Sequence, residues 1–298
     1  MPKTSPYAAQ LQRIPVQSGA IDVRGTRTRY WEYGDADAGL TLVFVHGFRG
    51  DHHGLEPVAA HLPGMRIIAP DLPGFGESAR FSDAPHDVEH YAQWLIDFTH
   101  ARGLDDRIVI VGHSFGSIIV SAAVAAGLDT QRVILINPIA APALAGPRGI
   151  LTRLAVAYYR ASAVLPAPVG FALLRNRVIV RVMSETMAKT RDARLRSWIH
   201  SQHDAYFSAF TDRGVVLEAF RASVSTDVSE VAAGITQPVL LIASDRDDLT
   251  PIAAQQRLAS LFDDATLRVI PNVGHLIHYE APADAARYIQ EFLGKGGL

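Results

Sequence analysis

The chain has 298 residues, 48% hydrophobic and 19% charged, which is ample apolar material for one large α/β domain or two ordinary ones and excludes long intrinsic disorder. Its 28 Lys plus Arg against 30 Asp plus Glu leave a net charge of −2, so no overall field draws it to a polyanion and nucleic acid is not expected as a partner. The absence of cysteine removes disulfides, thiolate metal sites and a cysteine nucleophile together.

The first seventeen residues, MPKTSPYAAQLQRIPVQ, lack the apolar core and small-residue cleavage site of a secretion signal, so a cytoplasmic location is expected. Residues 21–33 alternate polar and apolar side chains around Gly25, which suits an antiparallel hairpin at a sheet edge. Short apolar, β-branched runs follow at 42–45, 66–69, 108–111, 133–136, 239–242 and 267–270, the pattern of buried parallel strands. Helical patterns at 86–102, 114–127, 251–262 and 282–292 separate them and are long enough for right-handed crossovers. The class is therefore α/β, doubly wound.

From residue 138 to 234 the strand rhythm stops and several helices are expected, punctuated by Pro142, Pro147, Pro166, Pro168 and Gly170. This divides the chain into a core, 1–137 with 235–298, and an inserted helical cap, 138–234. Between 139 and 200 there are ten Lys plus Arg against Glu185 and Asp192, so the near-neutral total hides a basic insert on an acidic core. The most apolar stretch, 163–183, is broken by Pro166, Pro168, Arg175, Arg177 and Arg181 and is not expected to span a membrane.

The strongest chemical signal is Gly112-His113-Ser114-Phe115-Gly116, placed between the run 108–111 and the helical pattern that begins at 114. A sharp strand-to-helix turn of this kind exposes a serine, and small residues two before and two after it let strand and helix approach closely. Together with Val43-Phe44-Val45-His46-Gly47-Phe48, the segment Pro70-Asp-Leu-Pro-Gly74-Phe-Gly76-Glu-Ser78 and Gly274-His275, it makes the chain resemble the α/β-hydrolase fold family over nearly its whole length outside the insert. That resemblance implies a mostly parallel eight-stranded sheet flanked by helices, with a cap that sets substrate size.

It also implies roles. Ser114 would be the nucleophile, which at neutral pH needs a base to accept its proton. His275, in the G-H pair after the last strand, would be that base, with His278 as the near competitor. The loop 243–251 (ASDRDDLTP) offers three aspartates for the acid that orients the imidazole; alignment with the family's pattern selects Asp247, with Asp245 and Asp248 as alternatives. The other place where the family carries this acid holds Asn137-Pro138. The backbone N–H groups of Phe48 and Phe115 would form the oxyanion hole, and His46, Gly47 and His113 would border the substrate pocket. Serine at the elbow argues against the haloalkane dehalogenases and epoxide hydrolases of this fold, which place an aspartate there.

The activity implied is cofactor-free hydrolysis of a carboxylic ester of a small or medium apolar substrate through an acyl-serine. The alternatives are a C–C, lactone or amide hydrolase of the same fold, or a hydrolase-like ligand receptor. No metal is expected: His52-His53 and His200-x-x-His203 lack an accompanying carboxylate–histidine set and read as a solvated loop and helix face. The Gly-rich segment 70–78 lacks the Lys-Ser/Thr ending of a phosphate loop and reads as structural. For the basic insert, solvated arginines on an ordinary amphipathic cap are preferred over contact with an anionic membrane surface.

Overall fold

The computed structural model describes residues 3–104, 107–141 and 149–294. Pro142, Pro147 and Arg148 of the insert lie outside them. Helix α1 (Ala8–Leu11) leads into the hairpin β1 (Val16–Val23) and β2 (Thr26–Tyr33), whose turn residues Arg24 and Gly25 both take positive φ, +54° and +75°. That is the backbone a two-residue turn needs to match the twist of its strands. Then come β3 (Thr41–Val45), α2 (Glu56–Ala59), β4 (Arg66–Pro70), α3 (Val88–Ala101), β5 (Ile108–His113), α4 (Phe115–Ala125) and β6 (Arg132–Ile136).

Between β6 and β7 the described residues form helices α5 (Gly149–Val164), α6 (Ala167–Leu174), α7 (Arg177–Met187), α8 (Ala193–Tyr206) and α9 (Arg213–Ser225). The sheet resumes with β7 (Val239–Ser244), α10 (Ile252–Ala259) and β8 (Ala265–Ile270), and the chain closes on α11 (Ile277–Glu280) and α12 (Pro282–Gly294). None of the helices is long and apolar enough to cross a membrane among the described residues.

The eight strands lie in the order β1-β2-β4-β3-β5-β6-β7-β8. β1 pairs antiparallel with β2 and β2 with β4; every other pairing is parallel. The two-residue period of the strands sorts their side chains onto two faces. Val43, Val45, Ile110 and Leu135 pack toward α3 and α4, against Trp94, Phe98 and Ile119. Leu42, Phe44, Val111 and Ile136 pack on the opposite face with Val58 of α2 and Ile289 of α12. Burial on both faces is why these strands read as continuous apolar runs.

From β3 the chain moves outward to β4 and then returns to place β5 on the other side of β3. The C-terminal ends of β3 and β5 therefore flank a point where the winding direction reverses, the place where open α/β sheets form a crevice. The segments that follow these two strands are His46-Gly47-Phe48 and Ser114-Phe115.

Candidate active site

At the end of β5 the backbone turns abruptly into α4, and Ser114 takes φ +53° and ψ −118°. A non-glycine residue there is strained, and it persists only because its surroundings hold it. The helix consequently starts at Phe115, one residue later than the sequence pattern suggested. Both flanking glycines are required sterically: a Cβ at Gly112 would lie 2.6 Å from Gly116 O, and one at Gly116 would lie 2.3 Å from Val45 O. The close fit of β3, β5 and α4 thus depends on two missing side chains.

The turn aims Ser114 Oγ at His275 Nε2, 2.8 Å away. On the other side of the ring Nδ1 lies 2.8 Å from Asp247 Oδ2. Asp247 cannot donate when ionised, so Nδ1 carries the proton and Nε2 is left to accept from the serine hydroxyl. Asp247 is buried at 6% exposure and receives further hydrogen bonds from Asn137 Nδ2 (2.7 Å), Thr250 Oγ1 (2.7 Å) and the N–H groups of Leu249 (2.7 Å) and Thr250 (3.2 Å). Burial by itself would raise its pKa; the electrostatic interaction with the imidazole of His275 and the hydrogen bonds from His275, Thr250 and Asn137 outweigh it and hold the carboxyl well below the usual carboxylate range.

The other aspartates of that loop point elsewhere. Asp245 is exposed, and Asp248 forms an ion pair with Lys189 at 2.8 Å. His278 lies with its ring 4.1 Å from that of His113, and His275 alone of the two is hydrogen-bonded to Ser114. Two residues without a role in the sequence reading complete the Asp247 pocket: Asn137, at φ +44° just past β6, and Thr250. Asn137 also donates to Ser244 Oγ at 2.8 Å, tying the ends of β6 and β7 together. An amide at the end of a parallel strand beside the acid-bearing loop was the one signal available for it.

The turn after β3 closes with Gly50 N–H donating to Gly47 O at 3.0 Å, and Arg49 takes φ +60°. It packs directly on the serine turn, since a Cβ at Gly47 would be 3.2 Å from Ser114 Cβ. The Phe48 and Phe115 N–H groups have no protein acceptor among the described residues. Phe115 is the first residue of α4, where the amide is an orphan donor at the positive end of the helix. His46 is a clasp for the backbone: its Nδ1 meets Gly47 O at 2.9 Å and its Nε2 accepts from Leu72 N–H at 2.9 Å.

The inserted helices sit on this turn. The half-buried Phe48 ring contacts Tyr159 of α5 and Phe220 of α9, at centroid distances of 5.9 and 6.0 Å. Arg49 is completely buried, donating to Phe207 O (3.0 Å) and Leu174 O (2.7 Å), with Tyr159 Oη at 3.3 Å. An arginine with carbonyl acceptors from several elements acts as a tie between the turn and the helices above it.

The solvated reading of the histidine pairs is corrected here. His52 is buried, stacked on Trp31 and donating Nδ1–H to Asp71 at 2.9 Å, while His53 pairs with Asp51 at 3.2 Å. The ligand-type atoms of Asp51, His52 and His53 lie within 4.8 Å of one another, and those of His52 and His53 are engaged by the carboxylates of Asp71 and Asp51. His200 and His203 are also buried and share Ser184 Oγ, at 2.6 Å from each Nδ1. Periodicity places a residue on a helix face, but what packs on that face is a tertiary matter.

Burial lowers the pKa of His113 and His203 to about 3, with neighbouring His275 and His200 adding to the effect, and it also depresses His278. The folded affinity of His113 and His203 for protons is below the unfolded value near 6.5, so their contribution is complete above that pH and is lost as pH falls through it toward 3, and the depressed His278 acts in the same direction. Urea unfolding is therefore expected to show stability dropping below about pH 6, each such histidine adding a slope of about 1.4 kcal/mol per pH unit. His203→Gln should reduce that slope by about one histidine's share; an unchanged slope in the variant would contradict the assignment.

Comparison with known proteins supplies the context. The profile of the alpha/beta hydrolase family matches residues 42–287. Among curated proteins, the chain is 29% identical to a non-heme chloroperoxidase of Burkholderia pyrrocinia, over 83% of this chain and 88% of that protein. It is 26% identical to Lipase 1 of Psychrobacter immobilis, over 90% and 81% respectively. Among solved structures, a thermophilic esterase from Thermogutta terrifontis superposes with a TM-score of 0.73 at 22% identity, covering 94% of this chain and 98% of the other.

Proposed function

The chain belongs to the alpha/beta hydrolase family, and on that premise we propose that it is a serine hydrolase cleaving carboxylic esters of small or medium apolar acyl groups. The observation that carries this reading is the relay Ser114 Oγ, His275 Nε2, His275 Nδ1, Asp247 Oδ2, with 2.8 Å at both junctions. In the first half-reaction Ser114 Oγ attacks the acyl carbon while its proton passes to His275 Nε2. The tetrahedral oxyanion is held by the Phe48 and Phe115 N–H groups. It collapses as the C–O bond to the alcohol breaks and the imidazolium returns the proton to that oxygen, leaving an acyl-serine. Water then attacks with His275 again as base, and the acid is released. Asp247 fixes the ring tautomer and stabilises the imidazolium throughout. No cofactor enters this chemistry.

On the same reading residues 138–234 form the cap over a core of 1–137 and 235–298, and the rings of Phe48, Tyr159 and Phe220 border the acyl pocket. Their apolar surface supports an uncharged acyl chain. A p-nitrophenyl ester series from acetate to laurate, with turnovers counted per enzyme, tests the reading together with labelling by a fluorophosphonate. Multiple turnovers and a single adduct located on Ser114 by mass spectrometry are expected. A folded protein that neither turns over any member nor takes up the label would refute it.

A further inference from the structure

The inserted helices carry a surface that the hydrolytic reading does not use. From Thr130 to Ser184 the sequence has seven Arg and no Asp, Glu or Lys. Within this stretch, residues 161–174 (ASAVLPAPVGFALL) have no charged side chain at all, and their one hydroxyl, Ser162, is buried and donates to Tyr159 O. They span the last turn of α5, the two-residue link Leu165-Pro166 and the short helix α6, and polar side chains normally predominate at such a link. Here Val164 is 85% and Val169 52% exposed, with Leu165 also exposed.

The turn is built rather than loose. Arg213, at the start of α9, donates to Ser162 O (3.0 Å) and Leu165 O (2.7 Å), satisfying carbonyls at the end of α5. A Cβ at Gly170 would fall 2.1 Å from Ser162 O, so the two helices meet as closely as glycine permits. The apolar tip is held outward on this support, bracketed in the chain by exposed Arg160 on one side and exposed Arg175 and Arg177 on the other. Those three make no ion pair among the described residues, whereas Arg181 further along pairs with Asp204. Val178, beside Arg177, is 71% exposed.

We propose that the α5–α6 tip and its flanking arginines are a docking surface for an anionic lipid bilayer. The sequence alone favours solvated arginines on an ordinary cap; the exposure of rigidly held aliphatic side chains between them argues for the membrane. Stable peripheral attachment needs two signals, buried apolar area and electrostatic attraction, and this surface has both. Valine and leucine would enter the interface while the guanidinium groups stay at the level of the lipid phosphates. A protein partner would have to offer a complementary acidic apolar pocket, and the charge pattern requires only a negatively charged plane. The inference does not rest on the catalytic assignment.

The test is sedimentation of the full-length protein with vesicles of phosphatidylcholine alone or with about 30 mol% phosphatidylglycerol, at about 0.05 and about 0.5 M salt. Binding to the anionic vesicles is expected to exceed that to the neutral ones by at least about tenfold and to fall severalfold at high salt. Val164→Asp/Val169→Asp and, separately, Arg160→Gln/Arg175→Gln/Arg177→Gln should each reduce it by about tenfold, with hydrolysis of a water-soluble ester and thermal unfolding unchanged. Wild-type protein that stays in the supernatant with anionic vesicles at low salt overturns the proposal, as does equal binding to both vesicle types. A wild-type dimer in light scattering that becomes monomeric in the same variants, without vesicle binding, would instead make this face a contact between two copies.

Discussion

Ser114→Ala should lower kcat on a p-nitrophenyl ester by about four to six powers of ten while leaving the folded state in place. The size follows from losing the covalent route: without Oγ the site retains only binding and the backbone donors. The structural cost is small, because Ser114 Oγ is engaged by a hydrogen bond to His275, and alanine takes up the same backbone conformation at comparable strain. His275→Ala should be similarly damaging, and the double variant scarcely worse than either single one, since the two groups act in one proton transfer. Steady-state kinetics at several enzyme concentrations, with circular dichroism as the folding control, measures this. A Ser114→Ala protein with near wild-type kcat would remove the serine from the mechanism, and additive losses in the double variant would separate it from His275.

Asp247→Asn is expected to cost about 10⁴ in kcat, the scale at which a wrong imidazole tautomer stops base catalysis. The carboxylate sits among five donors: Asn137 Nδ2, Thr250 Oγ1, His275 Nδ1 and the N–H groups of Leu249 and Thr250. An asparagine has one acceptor oxygen, so its NH2 group must face a donor on one side. If it faces His275, the ring must present a lone pair at Nδ1 and carry its proton at Nε2, where it can no longer accept from Ser114. Some loss of stability should accompany this, because the amide NH2 also confronts buried donors. By contrast, Asp245→Asn and Asp248→Asn should change kcat by less than about threefold, as neither side chain reaches the imidazole. The strong depression of the Asp247 pKa means the carboxylate stays charged throughout mild acid, so its protonation does not shape activity near pH 5. Comparable losses at Asp247 and Asp248 would undo the assignment of the acid.

Much of the framework is legible in the chain alone. Strands buried on both faces must be apolar throughout, so β3 to β7 stood out as runs, and Gly112 and Gly116 marked a turn too tight for side chains. Gly25 likewise located the β1–β2 turn. Element ends were less legible, because caps and strain set them: Asp87 accepts from His90 N–H and starts α3 at Val88, and the positive φ of Ser114 delays α4 by one residue.

The sequence by itself determined the class, the order of the elements, the basic insert and the short list of Ser114, His275 and the aspartates of one loop, because these depend on local periodicity and on residue types adjacent in the chain. Only the tertiary structure decided which aspartate meets the imidazole, that Asn137 and Thr250 complete its pocket, that Arg49 ties the insert to the turn after β3, and that His52, His200 and His203, read as solvated, are packed inside. Each of those facts is a distance between residues far apart in sequence: Asn137 and Asp247 are 110 positions apart, and Arg49 and Phe207 are 158. Such distances are set by how layers stack and where loops converge, and residue spacing along the chain carries no record of them.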